Sequence, residues 1–172
     1  MATYVALLRS VNVGGRKLAM ADLRTLFDTL GHREVRTYIQ SGNVVFGAKA
    51  GKPAAVRGAI ERAIASELGL EVTVLLRTAH DLGKVLAANP FGPGAYVTFL
   101  DERPAPAAVK ALDPRQYAPD EFAIVGREAY VHAPHGYGRT KINNTYFERK
   151  LATRATTRNL RTVATLYDWA SE

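Results

Sequence analysis

Apolar residues along the chain follow strand-like and helix-like spacings in a regular order. Residues 3–9, which are apolar from Tyr4 to Leu8, predict a buried strand. A helix face follows, with Gly31 where a helix C-cap is expected; its apolar positions are Met20, Leu23, Leu26, Phe27 and Leu30. Residues 35–40 and 44–47 then predict two strands joined by a tight turn at 41–43.

The pattern completes one structural unit before the middle of the chain. A second helical stripe over residues 56–68 ends before Gly69, and residues 71–77 predict a further strand. This order, βαββαβ, is that of ferredoxin-like folds. A short helix over 79–88 leads into residues 89–94, a dense cluster of helix and strand breakers that indicates a lobe boundary.

The same plan recurs after this boundary. Residues 96–100 predict a strand, 106–112 a short helix, and 121–125 with 129–132 a hairpin. Helices are expected over 141–151 and 157–170. We therefore predict the α+β class, with two ferredoxin-like βαββα(β) lobes in tandem and an extra C-terminal helix. The predicted divisions are an N-terminal lobe (1–78), a helix and linker (79–94), and a C-terminal lobe with terminal helices (95–172).

The composition indicates the class of protein and the cellular compartment. Of the 172 residues, 47% are apolar and 23% charged, a balance typical of globular domains. The absence of cysteine excludes a disulfide-linked partner and thiolate chemistry, and it fits a reducing compartment. The apolar N-terminal run is too short for a signal sequence, and no run approaches the roughly 20 apolar residues of a membrane helix. We expect a cytoplasmic protein without a membrane partner.

The net charge of +7 is concentrated near the C-terminus. Residues 139–161 carry seven basic side chains and one acid, Glu148: Arg139, Lys141, Arg149, Lys150, Arg154, Arg158 and Arg161. Such a segment attracts phosphates of nucleic acids, nucleotides or metabolites, and the alternative is a solvated face that only aids solubility.

Three polar motifs are candidate anion sites. In the first, glycines that follow the first strand expose backbone N–H groups beside basic residues. Its members are Arg9, Asn12, Gly14 and Gly15. The second is the hairpin tip with Gln40, Ser41 and Asn43, and in both motifs turn formation alone is the alternative explanation. In the third, Thr156 or Thr157 caps the last helix and places Arg158 and Asn159 in its first turn, where they hold an anion or merely start the helix.

A fourth basic segment, the glycine-containing loop at 135–144, opens a helix and contributes Lys141. His132 and His135 lack further metal-ligating neighbours in the sequence, so we expect neither a metal site nor a cofactor. No acidic residue falls within the three motifs, which argues against paired-carboxylate catalysis. Lys141, Tyr38 and Tyr146 remain candidate proton donors.

The same segments resemble a bacterial family known as domain of unknown function 1697. The resemblance rests on residues 8–15, 20–24 and 35–46, with residues 156–159 similar to its C-terminal signature. It implies a cytosolic protein with two ferredoxin-like lobes and no established activity. The chain departs from the family pattern at Ser10, where glycine is usual, and at Leu160-Arg161, where a Trp-Asn pair is usual.

Two functional hypotheses follow from the sequence. In the first, the three motifs and Lys141 converge on one groove that binds a phosphate-bearing small molecule or a nucleic acid. In the second, the same groove belongs to an enzyme that acts on a small anionic substrate with Lys141 or a tyrosine as acid–base. A purely structural role for these residues is the third possibility.

Overall fold

The computed structural model describes residues 2–9, 18–39, 42–49 and 51–172. Its contacts divide the chain into two compact units: unit 1 comprises residues 1–82 and 165–172, and unit 2 comprises residues 83–164. This division assigns the end of the last helix to unit 1, whereas the sequence prediction kept the whole helix in the C-terminal lobe. The predicted boundaries of the linker, 79 and 94, stay a prediction.

Unit 1 has the ferredoxin-like topology. Its elements are β1 (Ala2–Leu8), α1 (Met20–Thr29), β2 (Arg33–Tyr38), β3 (Asn43–Ala48), α2 (Pro53–Leu68), β4 (Val74–Arg77) and the first turn of α3 (Ala79–Ala88). The strands pair antiparallel in the order β2-β3-β1-β4. Gly31 and Gly69 follow α1 and α2 in left-handed conformations, as expected of residues that end helices.

Unit 2 repeats this topology. Its elements are the rest of α3, β5 (Tyr96–Leu100), α4 (Pro106–Lys110), β6 (Glu121–Val125), β7 (Glu128–His132), a 3₁₀ turn (Tyr137–Arg139), α5 (Asn144–Leu151), β8 (Ala155–Asn159) and the start of α6 (Leu160–Ser171). The antiparallel sheet has the order β6-β7-β5-β8. The fold class predicted from the sequence, two tandem ferredoxin-like lobes, is confirmed. In the described part of the chain, no helix has the length and apolarity to span a bilayer.

The strands of the two sheets pair in equivalent registers. Leu7 of β1 lies opposite Asn43 of β3, as Phe99 of β5 lies opposite Glu128 of β7. The backbone N–H that follows each pair donates to the hairpin turn, from Leu8 to the Gly42 carbonyl at 2.9 Å and from Leu100 to the Arg127 carbonyl at 2.8 Å. This register aligns Tyr4, Val5 and Leu8 with Tyr96, Val97 and Leu100, so the repeat includes identical residues as well as matching elements.

In each unit, a glutamate on the helix between the third and fourth strands fixes the start of the fourth strand. The Oε2 atom of Glu61 in α2 accepts a hydrogen bond from the Val74 N–H at 2.8 Å. The Oε2 atom of Glu148 in α5 accepts from the Ala155 N–H, also at 2.8 Å. We call these two hydrogen bonds the glutamate clamps. Each stabilises the junction between a helix and an edge strand, where the backbone N–H would otherwise depend on water.

The helices of each unit cover one face of its sheet. In unit 1, alternate β1 residues (Tyr4, Ala6 and Leu8) pack with Phe27 of α1 and Ile60 of α2. In unit 2, Leu100 packs with Phe122 and the α5 side chains Tyr146 and Phe147. The period-two alternation of the strands and the helical spacing of α1, α2 and α5 together place these side chains in the cores.

The prediction of a helix beginning at Thr157 is wrong. Residues 155–159 form β8, in which Thr157 lies opposite Thr98 of β5. Helix α6 begins at Leu160, and the Oδ1 atom of Asn159 accepts a hydrogen bond from the Thr162 N–H at 2.8 Å. Threonine is favoured both in strands and before helices, so the sequence alone left this segment ambiguous.

We expect Asn159→Ala to lower the free energy of unfolding by about 1 kcal/mol, since it removes the acceptor at the start of α6. Asn159→Asp retains an oxygen at that position and should keep most of the stability. Urea denaturation of the three proteins measures the difference. Equal stability of Asn159→Ala and the wild type would contradict the assignment of Asn159 as the capping residue.

Candidate functional site

The first two sequence motifs belong to unit 1 and are only partly described. Arg9 directly follows β1, and its backbone N–H donates to the Thr73 carbonyl at 2.9 Å. Five other candidates lie outside the described residues: Asn12, Gly14, Gly15, Gln40 and Ser41. Their proposed part in anion binding therefore stays a prediction.

Asn43 has a clear local role in the hairpin between β2 and β3. The residue is fully buried, and its Nδ2 atom donates to the Tyr38 carbonyl at 3.0 Å. Gly42, just before it, has φ of 77°, a conformation that glycine adopts without strain. The Asn43 side chain thus closes the turn, which agrees with the conformational alternative considered for this motif.

Arg158 lies in β8 and not in the first turn of a helix. Its side chain is buried, and Nη1 donates to the Thr156 Oγ1 at 2.6 Å and to the Thr157 carbonyl at 3.0 Å. Burial lowers the pKa of Arg158 to about 10, so the guanidinium remains charged at neutral pH. The predicted placement of Arg158 and Asn159 in the first turn of the last helix is therefore wrong, because Arg158 is a buried strand residue and Asn159 caps α6. Their part in anion binding stays a prediction.

A buried arginine occupies the matching position in unit 1. Arg77 is the last residue of β4, and its Nη1 donates to the carbonyl of the preceding residue, Leu76, at 3.0 Å. Thr78 follows it and caps α3, with its Oγ1 accepting from the Asp81 N–H at 3.1 Å. Arginine before the capping residue is thus a feature of the repeat, which favours a structural role for Arg158.

Lys141 and Tyr146 both lie beside the ring of Tyr117. The Nζ of Lys141 is 5.7 Å from the centroid of the Tyr117 ring, a cation–π arrangement. The Tyr117 and Tyr146 rings meet edge to face, with centroids 5.9 Å apart. Two of the residues that the sequence singled out as candidate proton donors therefore share a neighbour in unit 2.

The hydroxyl of Tyr146 is buried and has no hydrogen-bond partner among the described residues. Burial raises the pKa of Tyr146; Tyr117 and Asp113 also raise it, and Arg149 lowers it. The group is therefore a protonated donor at neutral pH. An unsatisfied buried donor costs about 1–3 kcal/mol, so this position either carries a stability cost or is completed by a molecule from solution.

A neighbouring group of hydroxyls is, by contrast, fully hydrogen-bonded. The Thr157 Oγ1 accepts from the Tyr137 hydroxyl at 3.0 Å and lies 2.8 Å from the Thr98 Oγ1. It donates to the Asn144 Oδ1 at 2.6 Å. This network joins β5, β8 and the segment leading into α5. Its members satisfy one another, so it explains the polar character of β8 without a ligand.

Six of the seven basic residues in the 139–161 segment are exposed. We call them the basic surface: Arg139, Lys141, Arg149, Lys150, Arg154 and Arg161. They come from the 3₁₀ turn, the loop before α5, the last turn of α5, the turn after it, and α6. The single acid of the segment, Glu148, has its carboxylate directed to the Ala155 N–H through the glutamate clamp. The exposed charge of this segment is therefore strongly positive.

Sequence reasoning missed an open depression of about 410 Å³ in unit 2. Its lining residues are Asp101, Glu102, Glu148, Ala152, Thr153 and Arg154. Two hydrogen bonds donated by backbone N–H groups hold its walls together, from Asp101 to the Arg154 carbonyl and from Glu102 to the Thr153 Oγ1. The first matches the hydrogen bond from the Arg9 N–H to the Thr73 carbonyl in unit 1. The two walls are distant in sequence and meet only in the folded protein, so no sequence pattern indicated this location.

No three histidine, cysteine or acidic side chains of the described segments are grouped so as to hold a metal ion. His32 instead packs in the core of unit 1, with its ring centroid 5.8 Å from that of Phe27 and 4.7 Å from that of Phe46. Neither ring nitrogen has a hydrogen-bond partner among the described residues. Burial lowers the pKa of His32, so the neutral imidazole is the form that the fold accommodates.

The two ferredoxin-like units have equivalent strand pairings, and the second carries a basic surface. These features define an internally repeated α+β protein. The chain belongs to the family described as Protein of unknown function (DUF1697), whose family model matches residues 1–130. This match ends within β7, so the basic surface lies beyond it. The family resemblance inferred from the sequence is confirmed.

A solved structure resembles this protein over the whole chain. It is the conserved bacterial protein SP0830 from Streptococcus pneumoniae, with a TM-score of 0.76 and 21% sequence identity. The similarity covers 100% of this chain and 99% of that protein. At this identity the comparison establishes the fold alone. No curated protein matches the chain in sequence.

Tyr146→Phe should leave the free energy of unfolding unchanged or raise it, because the lost hydroxyl has no partner. Tyr130→Phe is the matched control in the same unit: its buried hydroxyl donates to the Val85 carbonyl at 2.8 Å. This variant should lose about 1 kcal/mol or more. Chemical denaturation compares the two, and an equal loss in both would show that Tyr146 also has a hydrogen-bond partner in solution.

His32 should make the protein less stable as the pH falls. In the unfolded chain the pKa of His32 has its ordinary value of 6.5, whereas burial makes this pKa lower in the folded protein. The contribution of neutral His32 to the free energy of unfolding is therefore fully present above pH 6.5 and decreases as the pH falls. In His32→Phe this part of the pH dependence should disappear. Denaturation curves at about pH 7 and pH 5 test this, and parallel losses in both proteins would contradict it.

Proposed function

We propose that unit 2 binds a phosphate-bearing polyanion, with nucleic acid as the ligand class, through the basic surface. The observation that carries this proposal is the exposure of six cationic side chains in a segment whose only acid, Glu148, participates in a glutamate clamp. Phosphates attract such a surface at long range, and on contact its cationic side chains replace the counterions condensed on the nucleic acid.

The arrangement of the cations favours an extended ligand over a small enclosed one. Arg149 and Lys150 are exposed in the last turn of α5, and Arg161 is exposed at the start of α6. Long side chains on an open surface adjust to successive phosphates without a fixed pocket. Arginine also presents a planar fork that matches the phosphate oxygens.

The proposal depends on unit 2 alone. The sequence-based hypothesis added residues of unit 1 to the same groove, namely Arg9, Asn43 and the candidates near them that lie outside the described residues. Their participation is a separate prediction, and the experiment below does not require it. Arg158 is left out of the binding surface because its guanidinium is buried between β8 neighbours.

The test is the binding of a fluorescently labelled single-stranded oligonucleotide, measured by anisotropy across a salt series. We expect the affinity to fall steeply with salt. The double variant Arg149→Glu/Lys150→Glu should bind at least roughly tenfold more weakly. Its slope of log affinity against log salt should also be smaller by about 1.4, the value for two lost phosphate contacts on a single strand.

Lys84→Glu/Lys110→Glu is the matched control, because both lysines are exposed in unit 2, lie outside the basic surface, and change the net charge equally. This control should retain most of the affinity. An equal loss in both double variants would assign the binding to net charge instead of the basic surface. Absence of binding at low salt would overturn the proposal.

A further inference from the structure

The chain has one tryptophan, and an arginine stacks on it in unit 1. The guanidinium carbon of Arg36, on β2, lies 3.9 Å from the centroid of the Trp169 ring, on α6. The ring of Tyr38, two residues further along β2, meets Trp169 edge to face, with centroids 5.3 Å apart and an interplanar angle of 85°. We call these three residues the stacking cluster.

The stacking cluster is fixed in place and yet open to solvent. The Arg36 Nη1 is 2.7 Å from the Glu172 Oε2, and this ion pair orients the guanidinium. The Arg36 side chain is nevertheless 42% exposed, and Tyr38 and Trp169 are half-buried. Ile39, which follows Tyr38, is 50% exposed. A planar cationic group thus rests on an aromatic ring at an accessible edge strand.

Basic residues accompany the stacking cluster along β2. Arg33 is exposed at the beginning of the strand, and exposed Arg24 of α1 reaches β2, with its Nη2 3.5 Å from the Thr37 Oγ1. Glu34 on β2 and Asp168 on α6 are exposed acidic residues, and Glu172 pairs with Arg36. Thr37 lies opposite the core residue Val44, so Arg24 adds positive charge on the helix-covered face of β2, whereas Arg36 and Tyr38 lie on the other face.

We propose that the stacking cluster binds a base of single-stranded nucleic acid. An arginine already stacked on an aromatic ring offers a preorganised flat surface for a further planar group. Because Glu172 neutralises Arg36, the cluster contributes stacking, and Arg24 and Arg33 contribute charge. The ligand class follows from the proposed function, whereas the site, in unit 1, is independent of the basic surface.

Trp169 provides the measurement, because intrinsic tryptophan fluorescence reports on this site alone. An oligothymidylate should quench Trp169 fluorescence to saturation. The midpoint of this titration should equal the midpoint of the anisotropy titration. An abasic oligonucleotide of equal length offers the same phosphates without bases, so it should bind to the basic surface and leave the fluorescence unchanged. Arg36→Lys keeps the charge but loses the planar group, and should weaken binding of the thymidylate roughly tenfold without affecting the abasic strand.

Arg62→Lys, at an exposed position of α2, is the control and should bind both strands as the wild type does. Binding of both strands without quenching would overturn the stacking site and leave the proposed function intact. Equal quenching by the abasic strand, or an equal effect of Arg36→Lys on both strands, would also overturn it. If neither strand binds at low salt, both proposals are wrong.

Discussion

Each unit depends on a central strand that must be hydrogen-bonded on both edges. β1 pairs with β3 and β4, and β5 pairs with β7 and β8, in matching registers. A shift of one residue would turn Tyr4, Ala6 and Leu8 away from the helices, so burial of these side chains fixes the pairing. The glutamate clamps then secure the fourth strand, which has a partner on only one edge.

This strand pairing determines which polar residues are available to a ligand. The sequence singled out Asn43, Arg158 and Thr157 as polar candidates. The described side-chain contacts of Asn43 close a turn, those of Arg158 stay within β8, and those of Thr157 join β8 to β5. Glu148 has a comparable role, and its use in the clamp leaves the exposed surface of its segment positive. Polar groups within the sheets serve the fold, and our functional proposals rest on side chains at its periphery.

The sequence predicted most of the fold because local signals and tertiary structure agree. The apolar spacing and glycine caps of α1 and α2 are unambiguous, and β5 occupies the predicted residues 96–100. β8 was missed because its pairing partner Thr98 is 59 residues away from Thr157. The stacking cluster was also beyond reach, since Arg36 and Trp169 are distant in sequence and meet only when α6 reaches β2.

The connections that follow the central strand differ in length between the two units. Residues 9–19 join β1 to α1, whereas residues 101–105 join β5 to α4. The hydrogen bonds made by Arg9 and Asp101 at the beginning of these connections are nevertheless the same. One scaffold thus tolerates loops of unequal length at this position, so natural variation or laboratory grafting can diversify recognition there while the strand pairing is preserved.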